Sequence, residues 1–126
     1  MRNALLLVAV LAALAPVAFA ADVAPSATAV ICTGVKDRAP QGVAEKFAAA
    51  AGQLYCFSEV RGVADKVVHV WFHADKQLAS VELPVKAQRW RTWSGKKLPA
   101  GAAGGWRVEV RDTAGKVLAT ASFTVE

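Results

Sequence analysis

The 126-residue sequence has two cysteines, one methionine, one tyrosine and two histidines, and each scarcity closes a class of function. Cys32 and Cys56 are too far apart for a CxxC redox pair, and two separated thiols make a poor metal site. His69 and His73 would chelate a metal on a helix, but Val67, Val68 and Val70 favour a strand, where positions four apart lie ~13 Å from one another. Cleavage before Ala21 would leave no histidine at the front for an amino-terminal copper site. Ser58, Ser80, Ser94 and Ser122 lack the GxSxG turn of a serine hydrolase. The Gly101 to Gly105 loop lacks a Gly-Lys-Ser/Thr ending and precedes a strand, unlike a phosphate cradle. The ten Asp and Glu residues show no paired motif for general acid–base work. Catalytic, metal and cofactor readings are therefore not favoured.

Long apolar runs are scarce as well. The one at the start, Ala4 to Ala15, follows a positive end at Arg2, precedes Pro16 and leads to Ala18-Phe19-Ala20, the small-x-small pattern of a signal peptidase site. It falls short of the ~20 residues that span a membrane. We expect residues 1–20 to be a signal peptide, with no transmembrane segment after its removal and a periplasmic or secreted mature chain. Export would make a Cys32–Cys56 disulfide the expected state, closing a loop of about 25 residues worth ~3.5 kcal/mol. Losing Arg2 from fifteen Lys+Arg leaves fourteen against ten Asp+Glu, a mild basic excess. In an exported protein that favours anionic envelope polymers over nucleic acid.

The remaining length allows one domain. Residues 21–27 form an Ala/Pro/Ser leader without period, and 28–126 carry short alternating segments separated by turn residues. Strands are expected at Thr28 to Val35, Leu54 to Val60, Lys66 to Ala74, Leu78 to Val85, Ala87 to Trp93, Trp106 to Arg111 and Lys116 to Val125. Pro84 lacks an amide donor and marks an edge or end. Val43 to Ala51 is either a short helix or a loop that tucks Phe47 under the sheet. Seven strands of this kind imply an all-β, immunoglobulin-like antiparallel β-sandwich.

His69-Val70-Trp71, Arg89-Trp90-Arg91-Thr92-Trp93-Ser94, Gly105-Trp106-Arg107-Val108-Glu109-Val110 and Gly115-Lys116-Val117-Leu118 with Phe123-Thr124-Val125 together resemble the bacterial domain-of-unknown-function family twenty-nine fourteen. The resemblance covers the last half to two thirds of the chain. It implies a compact, mostly β domain and supplies no catalytic residue.

An aromatic and basic surface is the remaining functional signal. With Val68, Val70 and Phe72 facing the core, His69, Trp71 and His73 would share the opposite face, next to Arg107 and Arg111 on a neighbouring strand. In the opposite phase, Trp71 is the buried sandwich tryptophan and His69 a hydrogen-bonded core histidine. Trp90 alternates with Arg89 and Arg91, so Trp90 and Trp106 are assigned to the core. Trp93, Ser94, Lys96 and Lys97, at the mouth of the glycine-rich loop, are candidates for exposed contact. The expected role is a noncatalytic envelope binding module with no cofactor, gripping a glycan or a periplasmic protein. The alternatives are an assembly subunit acting through a sheet edge and, less favoured, a small hydrolase.

Overall fold

The computed structural model describes residues 24–126. The expected signal peptide lies outside the described residues. The strands are β1 (Ser26–Cys32), β2 (Gly34–Lys36), β3 (Ala39–Gln41), β4 (Lys46–Phe47), β5 (Gln53–Arg61), β6 (Lys66–His73), β7 (Lys76–Pro84), β8 (Arg89–Lys97), β9 (Gly104–Arg111) and β10 (Val117–Val125). β1 starts within the stretch expected to be a leader. The sheets run β1-β5-β8 and β4-β10-β9-β6-β7, with β2 and β3 forming a separate hairpin. Among the seven long strands the first, second and fifth make one layer, and the third, fourth, sixth and seventh the other. This is the Greek-key partition of an immunoglobulin-like sandwich. Long strands pair antiparallel, and β4 adds in parallel to the end of β10. No helix among the described residues is long and apolar enough to cross a membrane.

The two-residue period decides which side chains meet between the layers. Leu54, Cys56, Ser58 and Val60 of β5 are buried against Val67, His69 and Trp71 of β6, Trp106, Val108 and Val110 of β9, and Ala121, Phe123 and Val125 of β10. They form one apolar cluster around Trp71, Trp106 and Phe123, and a smaller one of Val60, Val63, Val67 and Val110. Ser58 and His69 sit between the clusters on their respective strands.

Val43 to Ala51 forms no α-helix. It holds β4 and a single 3-10 turn at Ala49–Ala51. Val43 is exposed while Phe47 is buried edge-on against Phe123 at 6.0 Å. A nine-residue alanine-rich stretch is too short to sustain a helix without an apolar stripe to pack, and the parallel pairing of Lys46 and Phe47 with β10 satisfies its backbone instead. Pro84 ends β7, the outermost strand of its sheet, where a missing amide costs least.

Cys32 and Cys56 are free, buried thiols, which corrects the expected bridge. The register pairs Ile31 with Cys56 and Cys32 with Tyr55. A one-residue offset puts the two cysteine side chains on opposite faces of the sheet, and side chains that point apart cannot be bridged without moving the backbone. Burial pushes the Cys56 thiol up to about 12 and raises that of Cys32, so both stay protonated and inert.

Two hairpin turns lack glycine where the backbone enters the left-handed region. Asp37 and Arg38 have φ of 51° and 58°, and Ala74 and Asp75 have 47° and 64°. Each connects directly paired strand ends, Lys36 with Ala39 and His73 with Lys76, which is the geometry that favours Asn-Gly or Asp-Gly.

Candidate binding surface

β6 takes the second of the two phases weighed from sequence. Its inward residues are His69 and Trp71, both with 0% exposure, so neither belongs to a surface. A buried imidazole and indole require partners, and the opposite sheet supplies them. Ser58 Oγ lies 2.8 Å from His69 Nε2, Ser94 Oγ lies 2.7 Å from His69 Nδ1, and Trp71 Nε1 donates to Ser94 Oγ at 3.1 Å. Ser58 Oγ donates to the Thr92 carbonyl at 3.3 Å. One assignment satisfies every contact. Trp71 N–H donates to Ser94, Ser94 O–H to Nδ1 of His69, His69 Nε2–H to Ser58, and Ser58 O–H to Thr92. Desolvation lowers the His69 pKa to about 4, holding the ring neutral. Two hydroxyls touch a histidine here, yet all three side chains are sealed between the layers. Ser94, expected at the surface, is buried because β8 turns its Trp90, Thr92 and Ser94 side toward β6.

The outer face of the larger sheet carries Arg107, Glu109 and Arg111, as expected from alternation. Arg107 pairs with Asp75 at 2.6 Å and Glu109 at 3.1 Å, and Arg111 pairs with Glu109 at 2.5 Å. Both guanidinium groups lie over Phe72, at 4.0 and 5.8 Å, which buries that ring although it points away from the core. The Arg111 and Arg107 hydrogen bonds hold the Glu109 carboxyl below the usual carboxylate range. A groove of about 540 Å³ crosses this face, but Glu45 and Asp75 offset Lys46 and Arg107 along it. His73 does not join this face. Its ring stacks on Trp106 at 4.4 Å and contacts the Ala103 carbonyl at 3.0 Å. With Trp106 Nε1 donating to the Ala102 carbonyl at 2.7 Å, these contacts tie down the glycine-rich loop. Gly104, beside His73, has φ 117°, a backbone conformation that residues with a side chain rarely adopt.

The outer face of the smaller sheet is different in charge. Arg89, Arg91 and Trp93 of β8 sit opposite Arg61, Glu59 and Phe57 of β5. Glu59 pairs with Arg89 and lies 3.9 Å from Arg91, and together with Arg61 these groups lower its pKa. Among the described residues Glu59 is the one carboxylate ion-paired in this patch, so the arginines keep an excess positive charge. Their side chains are 59% and 46% exposed for Arg89 and Arg91, against 30% and 32% for Arg107 and Arg111. Trp93 is half-buried and stacks on Phe57, centroids 6.0 Å apart and planes 11° off parallel. Arg38, at the tip of the β2–β3 hairpin, reaches over the Trp90 ring at 4.9 Å and donates to the Arg91 carbonyl at 3.5 Å. Arg38, Ala87, Arg89, Trp90 and Arg91 line a hollow of about 300 Å³. Trp90 is half-buried at this margin, not fully enclosed, because β8 is the outermost strand of its sheet. Lys96 is half-buried and bonds the Lys97 carbonyl at 3.3 Å, and Lys97 is exposed at the far end of the strand.

The expected surface thus divides. Arg89, Arg91 and Trp93 share one face, Arg107 and Arg111 lie on the opposite side of the sandwich, and His69, Trp71 and Ser94 are internal. Sequence reasoning missed Arg38, Glu59 and Arg61. The alternation Phe57-x-Glu59-x-Arg61 was visible, but its facing partners on β8, Trp93, Arg91 and Arg89, are set by a register between strands distant in the chain.

With this geometry in view, the motifs of the second half can be placed in a family. Residues 64–125 match DUF2914, a protein family of unknown function. The DUF2914 match takes in β6 to β10, including Arg89, Arg91, Trp93, His69, Trp71 and Ser94. It leaves out β1, β5 and the β2–β3 hairpin, which contribute Ser58, Glu59, Arg61 and Arg38. No curated protein matches the chain.

Proposed function

We propose that this protein is a noncatalytic binding module of the bacterial envelope, exported to the periplasm or secreted, that holds a glycan or a protein partner against the Arg89, Arg91 and Trp93 face. The observation that carries this reading is the charge imbalance there. Arg61 is directly opposite Arg89 in register, and the one carboxylate between them among the described residues, Glu59, paired with Arg89, is left to balance Arg61, Arg89 and Arg91 together. The balanced ion pairs over Phe72 have no such excess, so that side is assigned a packing role. Strand addition at the open edge of β8 is the second reading. The Arg38 contact to the Arg91 carbonyl occupies part of that edge, and its arginines resist pairing with another strand, which favours the face over the edge. A hydrolase built on Ser58 or Ser94 would need the layers to separate before a substrate could reach either hydroxyl.

Native mass spectrometry of the protein isolated from its own compartment tests the reading. The mature mass should begin at Ala21, and a glycan or protein should copurify with the wild type and be lost from Arg89→Glu/Arg91→Glu. Retention of the same partner by the double variant would remove the assignment to this face.

A further inference from the structure

We propose, resting on the binding-module reading, that the ligand is an anionic glycan and that Arg38 is its clamp. Four arginines from three parts of the chain meet around β8: Arg61 from β5, Arg89 and Arg91 from β8, and Arg38 from the hairpin tip. Glu59 occupies part of the cluster. Guanidinium groups bind carboxylate or phosphate through paired, charge-assisted hydrogen bonds, and the exposed Arg89 and Arg91 retain donors for this. Arg91 and Trp93 are two residues apart on one strand face, a separation of ~7 Å, so an anionic substituent and the sugar ring beside it can be engaged together. The stacking on Phe57 fixes the Trp93 plane in advance, so little side-chain entropy is lost on contact. A flat aromatic ring beside cations suits a sugar whose C–H face stacks and whose acid group is paired.

Two local costs fall on this one patch. The positive excess that Glu59 leaves among Arg61, Arg89 and Arg91 is unfavourable in the empty protein, and an anion relieves it. Arg38 is held at φ 58° in a turn that a glycine would adopt without strain, and its side chain is thereby carried over Trp90 into the hollow beside Arg89 and Arg91. Strain that places a cation over a site points to the site. At the other strained hairpin turn the side chain of Asp75 is consumed by Arg107, whereas Arg38 has no carboxylate partner among its contacts on β8.

The test titrates the intact mature chain with polygalacturonate, phosphorylated dextran and neutral dextran at low salt, by calorimetry. At least one charged polymer should bind and neutral dextran should not. Carboxylate-only or phosphate-only binding each supports the proposal and assigns the acid group. Arg38→Gly should weaken binding about tenfold while its thermal midpoint stays level or rises, because the turn loses strain as the clamp is lost. Glu59→Gln should tighten binding by freeing Arg89 and Arg91, an effect that a purely structural ion pair would not produce. Lys116→Ala, exposed on the opposite sheet's β9–β10 turn, should change affinity less than twofold. No binding to either charged polymer, or equal losses in Arg38→Gly and Lys116→Ala, overturns the proposal. An acidic protein that copurifies and depends on Arg89 and Arg91, with no polymer binding, overturns the glycan assignment while leaving the binding-module reading in place.

Discussion

Acidification should weaken the sandwich through one side chain. His69 titrates at about 4 in the folded protein against 6.5 when exposed, so the unfolded chain binds the extra proton throughout the interval between. A base whose folded pKa is depressed leaves stability intact above the unfolded value and removes it as pH falls toward the folded one. At 1.36 kcal/mol per unit the full interval is worth ~3 kcal/mol, of which ~2 kcal/mol should be lost by pH 5. Glu59 and Glu109 have depressed folded values, so their losses begin lower, and the range from pH 7.5 to 5 isolates the histidine. The physical cause is desolvation of the sealed ring, and its partners offer no relief, because Ser58 and Ser94 each have only one proton to give and both are already directed, one to Thr92 and one to His69. An imidazolium would put an N–H against the Ser94 O–H and force that network to break. Urea melts at half-unit pH steps measure the effect. His69→Gln keeps one acceptor and one donor and should flatten the slope above pH 5, whatever its own cost in stability. Equal slopes in wild type and variant would refute the assignment of a buried neutral imidazole.

Three other outcomes follow from the packing. Trp71→Ala should cost ~3 to 5 kcal/mol in urea melts, as core aromatic truncations do, while the half-buried Trp93→Ala should cost much less; equal losses would place Trp93 in the core. A thiol reagent should leave the native protein untouched and titrate two cysteines after denaturation without reductant, and finding none would overturn the β1–β5 register. Residues 64–126 alone should show no cooperative unfolding transition, because β8 would lose both strands of its sheet and Trp71 would lose Leu54 and Cys56 from the shared core cluster. A sharp transition in that fragment would show that the second half folds without the first.

Alternation, turn residues and the spacing of apolar positions were sufficient to read an all-β sandwich of seven strands, since each rests on contacts within a few residues of chain. The motifs from His69 to Val125 likewise carried the resemblance that the DUF2914 match bears out. The phase of β6 was not legible. Val68, Val70 and Phe72 are as apolar as Val67, His69 and Trp71 are mixed, so hydrophobicity pointed the wrong side inward. Only the facing hydroxyls of Ser58 and Ser94 make an inward histidine acceptable, and only Arg107 and Arg111 make an outward phenylalanine so. The cysteines show the same limit. Their spacing and the leader argued for a bridge, whereas the one-residue offset between β1 and β5 turns the side chains apart. Arg38 joined Arg89 and Arg91 through a turn 53 positions away. Local chain physics sets the period of a strand, but which strands meet, and in which register, depends on the packing of the whole, because a shift of one residue exchanges every side chain between core and solvent.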